Sequence, residues 1–83
     1  AVLELVREAM LDVVDRVGDD RHVRLGVRIE LAQDLTTLWY LRPDVMDMVA
    51  TMQGEAAARE SLTHLTHLFG RYHLGGKAFA PHA

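Results

Sequence analysis

The chain has 83 residues, 49% of them hydrophobic, a formal net charge of −3 and no cysteine. That length supports one small domain and not two. The missing thiols exclude a disulfide framework, a thiolate metal site and a cysteine nucleophile, and the acidic balance weighs against a dedicated nucleic-acid binder.

No apolar run approaches the roughly 18 residues of a membrane span. The opening AVLELVREAM carries charges and no cleavage pattern, so a signal peptide is not expected. The lack of cysteine is compatible with a reducing cytoplasm, the expected location. Lys77 is the single lysine against eight arginines, Asn is absent, and Ala, Val, Leu and Asp abound. This usage resembles that of high-GC bacterial genomes. A domain this small buries only about 60% of its unfolded surface, so it needs tight packing or a partner.

Residues 1–17 read as a helix. Val2, Val6, Ala9, Val13 and Val17 recur at helical spacing, widened by Leu3, Met10 and Val14, with acidic residues opposite. Leu11 falls outside that arc and is expected at the surface or against a partner. Gly18 sits where a left-handed C-terminal cap belongs. Asp19 and Asp20 then offer N-capping carboxylates.

A central helix is expected over 21–41. From Val23 to Leu31 the pattern also alternates as a strand would, and Gly26 weakens helix propensity. A lone strand has no partner elsewhere in the chain, which favours the helix. As one rod, the segment is apolar on two sides. Val23, Val27, Leu31, Leu38 and Leu41 gather on one. Leu25, Ile29, Ala32, Trp39 and Tyr40 gather on the other, with Leu35 between. A rod of that kind needs covering twice, and the set Leu25, Ile29, Ala32, Leu35, Trp39 and Tyr40 is the expected interface. Trp39 is its anchor, because Trp is enriched in buried contact centres.

Arg42-Pro43 is expected to end the central helix. A short helix over 43–53 follows, with Val45, Val49, Met52 and Ala56 on one face. A break beside Gly54 leads to a final helix over 55–72, with a stripe of Ala58, Leu62, Leu65, Phe69 and Tyr72. One bent helix through Gly54 is the alternative. Of the methionines, Met46 and Met52 suit a core and Met48 the surface. Residues 1–73 form the expected domain, and 74–83 a loose tail. The fold class is therefore all-α: a small up-and-down bundle of three to four helices, expected as a dimer.

Chemistry is sparse. Glu60, His64 and His67 share a helix face at metal-ligand spacing. That face lies opposite the apolar stripe, near Arg71, and supplies no fourth ligand, so an ordinary solvated face is the better reading. Arg21, Arg24 and Arg28 could meet phosphates, but no base-reading helix follows, and a solvated basic edge is expected. Ser61 and His64 have the spacing of a nucleophile and base but no oxyanion hole beside them. Gly75-Gly76-Lys77 lacks the rest of a phosphate loop. No catalysis and no cofactor are expected. The leading reading is a self-associating interaction or regulatory module. The alternatives are a metal-binding bundle using Glu60, His64 and His67, and a weak nucleic-acid binder using Arg21, Arg24 and Arg28.

Overall fold

The computed structural model describes residues 2–72. They form four α-helices: α1 Val2–Val17, α2 Val23–Leu31, α3 Leu35–Gln53 and α4 Glu55–Tyr72. A 3-10 turn, Asp20–His22, precedes α2. No strand occurs among the described residues, so the alternating run Val23–Leu31 is helical. The expected tail at 74–83 lies outside the described residues.

Helix α1 follows its periodicity. Val6, Met10, Val13, Val14 and Val17 are buried, while Glu4, Glu8, Asp12 and Asp15 are exposed. Leu11 is half-buried. Gly18 closes the helix by donating its N–H to the Val14 carbonyl at 2.8 Å, but its backbone is not left-handed, contrary to expectation. Space is the reason for glycine here. A Cβ would come within 2.8 Å of the Val14 oxygen and 2.9 Å of the Met48 sulfur. Asp19 then caps the 3-10 turn, accepting from the Arg21 N–H, and the His22 ring accepts in return from the Asp19 N–H.

The expected rod over 21–41 is two helices. Ala32 is extended, and Asp34 starts a new helix by accepting from both the Thr37 N–H at 2.8 Å and the Thr37 hydroxyl at 2.7 Å. A capped start satisfies donors that would otherwise be orphaned, so the chain restarts α3 in a new phase. Pro43 does not end α3. Leu38, Leu41, Val45 and Met48 recur at spacings of three and four across it, and all are buried. Each such side chain contributes about 1.5–3 kcal/mol of gross burial, which together outweighs the roughly 3 kcal/mol cost of an interior proline. This phase reverses two expectations: Met48 is buried and Met52 is exposed; Ala56, beyond α3 in the first turn of α4, is exposed as well.

Gly54 makes the break complete. Its φ of 97° lies in the left-handed region that glycine tolerates. Helix α4 then folds back along α3, the most extensive helix pairing among the described residues. Trp39 and Phe69, equally far along the chain from Gly54, meet edge to face with ring centroids 5.1 Å apart. Ala58, Leu65 and Phe69 are buried as their stripe requires, and Leu62 is half-buried. Helix α1 packs on both α3 and α4, and the short α2 lies across α1 and α3.

Candidate interaction surface

Helix α2 spends only part of its apolar surface inside. Leu25 and Ile29 enter the core, and Ala32 follows them. Val23, Val27 and Leu31, four residues apart, form a row on the opposite side. They remain 63%, 48% and 70% exposed. On a helix, three apolar side chains so spaced stack along one face. Two-sidedness therefore holds for α2, but with the faces exchanged. Five residues expected at an interface (Leu25, Ile29, Ala32, Leu35 and Trp39) lie in the chain's own core, and only Tyr40 is exposed, at 72%.

The exchange has a physical cause. On one continuous rod Leu38 and Leu41 share a side with Val27, so burying them requires burying Val27. The break at Asp34 uncouples the two phases. A signal for the correct face existed within α2 itself: the charged residues Arg24 and Glu30 lie closest to the Val23–Val27–Leu31 row.

The row has unlike flanks. Arg24 and Arg28 lie on the side of α3, where Arg28 reaches Asp44 at 3.5 Å. Gly26 and Glu30 lie on the side of α1. There a groove of about 450 Å³ runs between the helices, with Leu11, Val14 and Val27 among its apolar lining and Asp15, Asp20 and Glu30 at its rim. Among the described residues, Arg24, Asp15 and Glu30 have no ion-pair partner.

Gly26 has no steric reason to be glycine in the single chain. An added Cβ would meet only the Val14 Cγ1, at an ordinary 3.8 Å. Yet glycine inside a helix costs about 0.5–1 kcal/mol relative to alanine.

A residue the sequence did not single out holds α2 in place. The Arg7 guanidinium donates to the carbonyls of Ile29, Glu30 and Ala32 at 2.8, 2.7 and 2.9 Å, and Glu4 steadies it from behind. All three carbonyls lie at the α2 C-terminus, where the helix dipole favours a cation, and the Ile29 oxygen also accepts the Ala32 N–H at 3.3 Å.

Arg21 pairs with Asp19 at 2.9 Å, and the hydrogen bond from the Arg21 side chain is the main reason the Asp19 carboxyl lies below its usual range. Thus Arg21 and Arg28 are engaged by Asp19 and Asp44, leaving Arg24 alone of the three. Glu60, His64 and His67 are all exposed on α4 and line a shallow depression with Arg59 and Thr63. No group of three His, Asp or Glu among the described residues is arranged to hold a metal ion. Ser61 and His64 make no hydrogen bond to each other among those residues. Trp39 is covered by Phe69 and by the Arg42 guanidinium, 3.9 Å above its ring. Burial lowers the Arg42 pKa, and its Nε is enclosed with no hydrogen-bond partner among the described residues. Gly75-Gly76-Lys77 lies outside them.

No described helix is long and apolar enough to cross a membrane. No protein-family model, curated protein or solved structure matches the chain.

Proposed function

We propose that the chain is a small helical association module that pairs with a second copy of itself and serves an interaction or regulatory role rather than a catalytic one. One observation carries this reading: the exposed row Val23, Val27 and Leu31 on a helix whose other face is already committed to the core. Single exposed apolar residues are common on monomers, but three aligned on one short helix form a patch of the kind that marks contact sites. Two-fold pairing is the commonest closed assembly for soluble proteins. The contact involves one short helix and the edge of α1, so it belongs to the small, weak class below roughly 1,200 Å². A weak, concentration-dependent equilibrium is expected. Sedimentation velocity over a concentration series is the test. The weight-average coefficient should rise with concentration toward that of a dimer. A coefficient that stays at the monomer value throughout would reject self-association.

A further inference from the structure

We infer that two copies pair with their α2 helices parallel, the two-fold axis running along the helices and the row Val23–Val27–Leu31 at the seam. This rests on the self-association proposed above and specifies its geometry. The flanks of the row are unlike. One side of the row carries Arg24, with Arg28 and its Asp44 partner beside it; the other carries Glu30 and, across the groove, Asp15.

Two ways exist to bring the same face of two identical helices together by a two-fold rotation. An axis lying across the helices makes them antiparallel and keeps each flank opposite its own kind, arginines facing arginines. An axis lying along the helices makes them parallel and exchanges the flanks. Arg24 and Arg28 of one copy then face Glu30 and Asp15 of the other, and the same contacts repeat on the far side of the seam. Opposite charges across a contact steer association and fix its register, whereas like charges oppose it. A purely basic partner helix would suit the acidic rim but would leave the unpaired Arg24 against like charge. A second copy satisfies both flanks. Gly26, next to Val27 on the α1 side, leaves bare backbone beside the row, where a partner helix can approach closely.

The chain has no cysteine, so single introduced thiols report the geometry cleanly. The substitutions Val23→Cys, Val27→Cys and Leu31→Cys fall on exposed side chains, and helicity measured by circular dichroism checks that each variant is folded. In the parallel pair every position faces its own copy, so all three variants should form disulfide-linked dimers on mild oxidation. In an antiparallel pair centred on Val27, positions 23 and 31 sit about 12 Å from their own copies along the axis. That exceeds the roughly 7 Å limit for bridged Cα atoms, and only Val27→Cys would link.

Salt gives an independent reading. Dimerisation of the full chain should weaken as salt rises, because unlike charges meet. The pair Arg24→Glu with Arg28→Glu should weaken it about tenfold, and adding Asp15→Arg with Glu30→Arg should restore it. Linkage at position 27 alone, with dimerisation strengthened by salt, would overturn the parallel arrangement while leaving the proposed face intact. A dimer that links at none of the three positions and ignores the charge changes would overturn the face as well. A chain monomeric under all conditions would overturn both readings.

Discussion

The α3–α4 hairpin and helix α2 draw on similar residues and use them differently. In the hairpin, apolar side chains at spacings of three and four turn inward on both helices, and aromatic rings from each meet at Trp39 and Phe69. In α2 the apolar residues divide: Leu25 and Ile29 go in, while Val23, Val27 and Leu31 go out. The hairpin is held by its own packing. Helix α2 has only a short buried face and depends on a tether at its end, the Arg7 guanidinium on three carbonyls. The difference separates what folds the chain from what the folded chain presents.

The largest expected effect lies in the hairpin. Phe69→Ala removes a fully buried ring that Trp39 packs against, and is expected to cost about 3–5 kcal/mol. For a domain this small that is most of its stability. Circular dichroism should show a much lower melting midpoint, and Trp39 emission should move to the red. A melt like that of the unmodified chain would mean the hairpin is not the stabilising unit.

The next effect lies at the tether. Arg7→Met keeps the aliphatic stem and removes the charged donors, and is expected to cost about 2 kcal/mol. The loss should be local. Amide exchange in α2 should accelerate far more than in α4. Equal acceleration in both helices would show that α2 and the hairpin open as one unit and would erase the contrast between them.

Gly26→Ala should act in the opposite direction. Its Cβ has room, and the monomer should gain about 0.5–1 kcal/mol. Destabilisation in dilute solution would point to a clash within the chain itself.

The smallest effect is titratable. The Thr37 N–H, and then its hydroxyl, hold the Asp34 carboxyl below the ordinary carboxylate value of 3.8. A carboxylate whose folded pKa is depressed contributes stability above its unfolded pKa, and loses that contribution as pH falls through the folded value. The melting-temperature gap between the unmodified chain and Asp34→Ala should therefore persist at neutral pH and close as the pH falls below 3.8. A gap independent of pH would mean the charged cap is not what starts α3.

Much of the fold was legible where one interaction dominated. The stripe of α1, the stripe of α4 and the break at Gly54 each follow from periodicity or from a single backbone requirement. The break at Ala32–Asp34 was legible in principle, since Asp34 followed by Leu35 and Thr37 has the pattern of an N-cap before an apolar run. The apolar residues on either side masked it, and joining α2 to α3 as one rod exchanged the inner and outer faces. Pro43 misled for the opposite reason: a local rule for ending helices lost to the burial of Leu38, Leu41, Val45 and Met48 around it. Arg7 was not legible, because its three acceptors lie more than twenty residues away and are backbone atoms, which leave no pattern in the sequence.

The central claim is that the outward row on α2 is a contact face, and the most direct measurement compares two variants by sedimentation velocity at high concentration. Val27→Asp places a charge in the middle of the row, whereas Tyr40→Ser alters a still more exposed residue on α3. The expected result is a monomer for Val27→Asp and undiminished dimerisation for Tyr40→Ser, with both variants fully helical. If Val27→Asp associates as the unmodified chain does, α2 is not the face by which this protein pairs.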